Sequence, residues 1–429
     1  MKWPTLPLHR VASLESGFGF PRERQGDSAQ EFPFFRVSDM NFEGNEVFMR
    51  NHTNTVSAQT LSELGARVFP PGTVIFPKIG AAIATEKKRI LTRPATFDNN
   101  VMGAIPNEVV DPQFLYYWFL RLRLSDFANP GHVPSIRKSV MEEIPFELPP
   151  PTEQHRIVEI LEEADGLRKL RREADARATR ILPALFLKMF GDPASNPKRW
   201  PVESLGQLAD ERPEYGANAS GVPFEPGKPR YIRITDIRED GTLSDKEVVT
   251  LDAVEWSSYL LRQGDVLFAR SGNTVGKTYI YRPDDGTCAF AGYLIRFRFA
   301  SGKIDPWFVF GFTQTPYYRV WVEAHKRIAG QPNINGQEYA SLQVPVPSEG
   351  LQHQFAQKSQ EIEELLARTS NAAARLDSLF STLIQRAFSG DLTARWREAH
   401  MKELLAEMEQ QAKLLNLPSP NTERPAARV

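Results

Sequence analysis

The chain repeats itself. Trp3-Pro4, followed by Leu8 and Ala12, recurs 197 residues later as Trp200-Pro201, followed by Leu205 and Ala209. Phe35–Met40 recurs as Ile232–Ile237, Gly72–Phe76 as Gly264–Phe268, and Asp111-Pro112 with Phe114 as Asp305-Pro306 with Phe308. Val133–Ile136 recurs as Gln331–Ile334. The matches keep their order and the shift stays between 192 and 198, a register that chance matching would not hold. The matched positions are mostly apolar residues, glycine and proline, which set a backbone, while the residues between them diverge. The duplication therefore predicts one fold used twice, with two different surfaces.

Each copy opens with a β-rich half. Arg230–Ile237 alternates polar and apolar residues as a half-buried strand does, and Gly72–Gly80 and Gly264–Gly272 read as short apolar strands that start and stop at glycine. An aromatic-rich helical stretch follows, 112–129 in one copy and 306–324 in the other. Its aromatic residues are expected in the core rather than stacked on bases.

A proline-rich hinge and a long helical pattern close each copy. Gln154-His155 align with Gln352-His353, and Phe190 with Phe388. Apolar residues recur every seven. In the first helix one row is Ile157, Ala164, Arg171, Ala178 and Leu185, and the other is Ile160, Leu167, Ala174 and Ile181. In the second the rows are Phe355, Ile362, Thr369, Leu376 and Leu383, and Lys358, Leu365, Ala372 and Leu379. Two such rows with charged flanks are a coiled-coil signature. The spacing predicts two helices packed antiparallel as a spacer of roughly 60 Å, with Pro183 interrupting the first near its end. Two separate hairpins, each docked on its own module, are the alternative. One further amphipathic helix, with Trp396, Leu404, Leu405, Met408 and Leu414 on its apolar face, follows Gly390-Asp391 and has no counterpart in the first half. A frayed polar tail from Leu417 ends the sequence.

The expected class is α+β, two-fold pseudosymmetric, with modules at 1–150 and 192–347, helical spacers at 151–191 and 348–391, and the extra helix and tail at 392–429. Length, 429 residues, fits several domains, and 41% hydrophobic with 24% charged residues is globular. The single cysteine, Cys288, has no internal disulfide partner. With no apolar run of about 20 residues and no apolar core in the opening MKWPTLPLHR, a cytoplasmic protein is expected. The formal net charge is −1. Any affinity for nucleic acid must come from local basic clusters or from a partner.

These features resemble the specificity subunit of Type I restriction–modification systems over about residues 1–392. The carriers are the Trp-Pro…Leu module starts, the Gly-x-Val-[Ile/Leu]-Phe strands, the Pro-Pro-Pro-Thr-Glu-Gln-His hinge at 149–155, and long helices closing on Phe-Gly-Asp and Phe-Ser-Gly-Asp. The second hinge departs from the pattern by Glu349-Gly350-Leu351 before Gln352-His353. The resemblance implies two target recognition domains that each read one half of a bipartite, asymmetric site in double-stranded DNA. It also implies that the helices set the gap and dock methyltransferase subunits, two of them expected, with restriction/translocase subunits where present. S-adenosylmethionine and ATP are expected in those partners, with no cofactor, metal or catalytic residue in this chain.

Within the modules, the polar loops before each hinge supply candidate DNA contacts: His132, Ser135, Arg137 and Lys138 in one, and Gln331, Asn333 and Asn335 in the other, where Gly330 opens the loop. Arg and Lys suit guanine edges, and Asn or Gln suit adenine. Lys87, Lys88 and Arg89 form a basic cluster suited to phosphate. Ser271–Thr278 looks like a phosphate-binding loop but has three residues, not four, between Gly272 and Gly276, and leads into a strand pattern. The preferred reading is a hairpin tip presenting Arg270, Asn273, Thr274 and Lys277 to DNA, with Lys78 near the same spot in the first copy. Ordinary turn chemistry and a solvated surface are the plainer readings of these residues. A nucleotide-dependent enzyme using Gly272–Lys277, and a scaffold whose β modules bind proteins, are the competing functions.

Overall fold

Two sheets of the same build carry the two repeats. The computed structural model describes residues 2–253, 255–299, 302–326 and 331–418, so Gly330 and all but the first two residues of the polar tail lie outside the described residues. The chain divides into two compact units, one of residues 1–169 with 374–429 and the other of residues 170–373.

In the first unit Val74–Pro77 is the central strand of five, flanked by Val101–Pro106 and Arg89–Leu91, with Ala12–Ser16 beyond Val101–Pro106. In the second unit Asp265–Ala269 takes the central place, between Leu294–Arg298 and Thr278–Ile280, with Glu214–Tyr215 beyond Leu294–Arg298. The register matches as well: Phe76 lies opposite Met102, and Phe268 opposite Ile295. Successive side chains leave a strand on opposite faces. Val74 and Phe76 therefore join the core under the aromatic helix, while Ile75 joins a second core with Phe35, Phe69 and Phe97. Val266 and Phe268 part from Leu267 in the same way.

Asp111 and Asp305 start the aromatic helices Pro112–Arg121 and Pro306–Thr313, each accepting backbone N–H groups of the first turn, with proline at the first helical position. Phe114 to Phe119 are all buried, and Phe308, Phe310 and Phe312 likewise, so this face is core as expected.

The first long helix runs Pro151–Ala178, turns at Thr179–Arg180 and resumes as Ile181–Phe190. Pro183 accounts for the break, since it offers no N–H to the Thr179 carbonyl and its ring crowds that oxygen. The second helix, Glu349–Ser389, is unbroken. In the first unit the start of the first helix lies against the end of the second: Arg168 Nε donates to Asp377 Oδ1 at 2.8 Å, and the Arg168 guanidinium sits 4.1 Å from the Phe380 ring centre. In the second unit Phe186 and Phe190, ending the first helix, pack on Phe355, which starts the second. The pairing is antiparallel within each unit.

One expected row of the seam is displaced by one residue. Ile157, Ala164, Arg171, Ala178 and Leu185 are buried or half-buried, as are Phe355, Ile362, Thr369, Leu376 and Leu383. The other row is not the seam: Ile160 is only half-buried, and Leu167, Ile181, Leu365 and Leu379 are 51%, 44%, 62% and 51% exposed. In its place the chain buries Leu161 and half-buries Arg168, Asp175 and Leu182, and in the second helix it buries Ser359 and Phe380 and half-buries Leu366 and Ala373. Polar side chains hold part of this face, and the Arg168–Asp165 and Arg171–Asp175 pairs keep their charges satisfied. A search for apolar repeats therefore settles on the neighbouring leucines.

The segment after Gly390 forms two helices, Ala394–Ala399 and Met401–Leu414, where one was expected. Leu404, Met408 and Leu415 are buried, whereas Leu414 faces out. Gln411 Nε2 donates to the Val109 and Pro149 carbonyls, so these helices cover the hinge of their own unit. Beneath them Glu153, fully buried, accepts from Trp3 Nε1 at 2.8 Å, Thr393 Oγ1 at 2.6 Å and Arg397 Nε at 2.7 Å. Three donors satisfy the desolvated carboxylate.

Among the described residues, no helix is long and apolar enough to cross a membrane.

Candidate nucleic-acid interface

The central strand of each sheet ends where the polar loop before the hinge returns. In the first unit Ile136 N donates to the Lys78 carbonyl and Gly80 N to the Pro134 carbonyl, and Ile79 bridges to Ser135. In the second, Ile334 N donates to the Arg270 carbonyl and Gly272 N to the Pro332 carbonyl, and Ser271 bridges to Asn333. Gly80 and Gly272 both hold positive φ, 73° and 69°, a conformation that favours glycine. The two groups of candidates in each repeat thus meet at one mouth.

Side chains at the first mouth divide into free and engaged. His132, Arg137 and Lys138 are exposed, with Lys138 3.9 Å from Glu15 and 3.7 Å from Glu142, and Ser135 is half-buried in its bridge. Lys78 is half-buried, burial pushes its ammonium below the usual lysine range, and Nζ donates to Ser16 Oγ at 2.7 Å. Lys87 reaches Asn41.

Lys88 and Arg89 do not form a phosphate-facing cluster. Lys88 is 2% exposed, pairs with Glu86 at 2.9 Å and donates to the Leu122 carbonyl, and burial lowers its pKa. Arg89 spends its guanidinium on the Lys88 and Met40 carbonyls and is also lowered by burial. Lys88 lies just before the strand Arg89–Leu91, and both side chains bond to the protein, so their positive charge serves the fold.

At the second mouth, Gln331 and Asn273 are exposed, Asn333 is half-buried, and Thr274 Oγ1 donates to the Ser271 carbonyl. Lys277 is turned to its own unit, pairing with Glu239 at 2.9 Å and donating to the Ile237 carbonyl. Asn335 is a helix cap: its Oδ1 accepts from Gln337 N and Glu338 N, and Glu338 Oε2 accepts from Asn335 N. Turn chemistry accounts for that residue. The Gly272–Lys277 segment joins two antiparallel strands, Asp265–Ala269 and Thr278–Ile280. It therefore lacks the helix N-terminus on which a phosphate-binding loop depends. Among the described residues no cluster of His, Cys, Asp or Glu is placed to hold a metal ion.

The family model for the Type I restriction modification DNA specificity domain matches residues 2–176. The chain is 25% identical over 329 residues to the Type I restriction enzyme EcoDI specificity subunit of Escherichia coli, covering 67% of this chain and 72% of that one. It is 22% identical over 444 residues to the StySPI specificity subunit of Salmonella potsdam, covering 96% and 94%. The chain is thus similar to the specificity subunits of Type I restriction–modification systems. Two solved structures share the fold of this chain. One is the S subunit of a Type I restriction-modification system from M. genitalium, 15% identical, with a TM-score of 0.51 over 90% of this chain and 96% of that one. The other comes from work on complex assembly and conformational transition of the type I R-M system, 17% identical, with a TM-score of 0.53 over 91% and 98%.

Four residues that sequence reasoning passed over complete the two mouths. Ser16 and Asn100 flank Lys78, and Tyr215 and Tyr293 flank Arg270. Lys78 N donates to the Asn100 carbonyl and Arg270 N to the Tyr293 carbonyl. The Arg270 guanidinium lies 4.8 Å from the Tyr215 ring centre, a cation–π stack. Tyr293 is 59% exposed. The available signal was the aligned end of the Gly-x-Val-[Ile/Leu]-Phe strand, but its sheet neighbours lie far away in sequence.

Proposed function

We propose that this chain is a specificity subunit that reads a bipartite, asymmetric site in double-stranded DNA, one half with each repeat, and directs methyltransferase subunits, and restriction subunits where present, to it. The observation that carries this reading is a single backbone frame built twice, with different side chains at its two mouths. Identical frames support identical docking on a duplex, and different side chains support different half-sites. Arg137, Lys138 and His132 at one mouth and Gln331, Asn333 and Asn273 at the other are the exposed members of the contact set.

The chain's part is recognition. Bond making belongs to the partners, which would bind S-adenosylmethionine and ATP. With net charge −1, the subunit alone gains little phosphate attraction, and partners that close around the duplex supply the rest. The outward leucines of the long helices, Leu167 and Leu379 in one unit and Leu365 in the other, offer apolar surface for two methyltransferase subunits. A prokaryotic cytoplasm suits such an assembly.

The test exchanges residues 1–150 for the corresponding segment of another specificity subunit and maps methylated sites in the host genome. One half of the motif should change and the other stay. A motif that is unaltered, or altered in both halves, refutes the reading and favours a scaffold for protein partners.

A further inference from the structure

The two mouths can be matched position by position. Ser16 lies opposite Met102 and Tyr215 opposite Ile295, each two residues beyond the position that caps the central strand, Asn100 or Tyr293. Phe76 and Phe268 pair with the same two partners, so Lys78 and Arg270 leave their strands at equivalent points. The frame beside them cannot vary. A Cβ on Gly17 would stand 2.0 Å from the Asp98 carbonyl oxygen, and one on Gly216 2.3 Å from that of Phe290. Position 16 matches 215, 78 matches 270, and 100 matches 293. Serine, lysine and asparagine stand in one repeat where tyrosine, arginine and tyrosine stand in the other.

Charge bookkeeping within the second module singles out Arg270. Its other buried or half-buried arginines, Arg230, Arg233, Arg282, Arg296 and Arg298, each face a carboxylate. Arg270 faces none among the described residues, and its Nε is buried without a partner. The stack on Tyr215 holds the guanidinium plane while its terminal amines make no hydrogen bond within the described residues. An oriented, unspent fork of donors fits the N7 and O6 acceptors of guanine. The neighbouring Ser271 Oγ is also buried and unpartnered, and exposed Tyr293 flanks the site. Lys78 offers only a point charge, backed by Ser16, beside Asn100, whose backbone N–H donates to Asp98 Oδ1.

We propose that these three matched positions, Ser16, Lys78 and Asn100 in one repeat and Tyr215, Arg270 and Tyr293 in the other, determine the base preference of each half-site, with Arg270 selecting a guanine. The inference rests on the DNA-reading function above and assigns its chemistry to residues.

The experiment expresses the full chain with its modification subunit and maps methylated motifs for wild type, Arg270→Ala and Lys78→Ala. Arg270→Ala should relax one G·C pair, in the half read by the second repeat, lowering discrimination there by about 10- to 100-fold. Lys78→Ala should alter the other half only. An unchanged motif in Arg270→Ala, relaxation in the first repeat's half, or equal loosening at every position overturns the proposal. If Arg270→Ala abolishes methylation, Arg270→Lys is assayed by gel shift with the assembled complex, on the wild-type duplex and duplexes with each base pair replaced. Lost discrimination at one G·C pair supports the assignment, and retained discrimination at all of them overturns it. The 1–150 exchange separates the two levels. If it moves one half of the motif while Arg270→Ala changes nothing, the residue assignment fails alone. If neither changes the motif, the DNA-reading function fails too.

Discussion

Gln154 Oε1 accepts the backbone N–H of Asp111 at 2.8 Å, the residue that caps the aromatic helix of its module. The other end of the same amide, Nε2, donates to the Pro149 and Val109 carbonyls. Gln352 repeats the arrangement, accepting from Asp305 N at 2.8 Å and donating to the Pro347 carbonyl at 2.8 Å. Each hinge is thus latched by one buried amide that satisfies donor and acceptor together.

Removing that amide should cost the unit it serves. Gln154→Leu leaves the Asp111 N–H without its acceptor, while Gln411 still donates to the Val109 and Pro149 carbonyls. Gln352→Leu leaves the Asp305 N–H and the Pro347 carbonyl unpaired. Each should lower unfolding free energy by about 1–3 kcal/mol. Denaturant unfolding followed by tryptophan fluorescence measures this. A loss within error of zero in both variants would mean that packing alone holds the hinges.

Lys88 and Lys138 should behave oppositely. Lys88→Met strips the partner from Glu86 in a buried setting and should destabilise the fold by about 3 kcal/mol while leaving the methylated motif intact. Lys138→Ala should leave the melting temperature unchanged. It should weaken binding of the assembled complex about equally to all duplexes, with the salt dependence reduced by about one phosphate contact. Salt titrations of the two variants beside thermal melts distinguish them.

The duplicated frame was legible because the positions that build it, such as Gly72 and Gly264 or Asp111 and Asp305, carry residues whose backbone demands are specific. The hinge amides were visible as an aligned Gln-His pair. What the residues did there was not, since the Gln154 partners are backbone groups that leave no trace in side-chain identity. The helix seam was half legible. Its Ile157 row is apolar enough to see, whereas Arg168 and Asp175 occupy seam positions that a hydrophobic search discards. At the mouths, local reading counted charge without geometry, so buried Lys88 and the capping Asn335 looked like contacts. Tyr215 and Tyr293 did not, because only strand pairing brings them beside Arg270.

Leucines on the outward face of the long helices should matter for assembly rather than for folding. Leu167→Glu and Leu365→Glu replace exposed side chains and should shift stability by no more than about 0.5 kcal/mol, yet reduce co-purification with the methyltransferase subunit. Unaltered co-purification by both variants, and by the pair combined, would direct attention to another surface.

Cys288 should report on global unfolding. Its Sγ donates to the Asp285 carbonyl at 3.4 Å, and burial, with the Asp285 carboxylate nearby, pushes the thiol up to about 12. The reactive thiolate is then about one part in 10,000 at pH 8, against roughly a quarter for an ordinary cysteine. Alkylation of the folded chain at pH 8 should be at least about 100-fold slower than in denaturant. Comparable rates would show that the strand Cys288–Phe290 opens readily.

The three donors gathered on Glu153 come from Trp3, Thr393 and Arg397, so the unit that begins the chain is completed by residues made near its end. Residues 170–373 form their own unit without interruption. On a ribosome, at about 5–20 residues per second, the unit translated second is finished first. The leading module waits some ten to forty seconds with its helix Pro151–Ala178 uncovered and a buried-type carboxylate facing water. That interval is when the nascent chain is most open to aggregation or to capture by a chaperone, and it closes only when the trailing helices emerge.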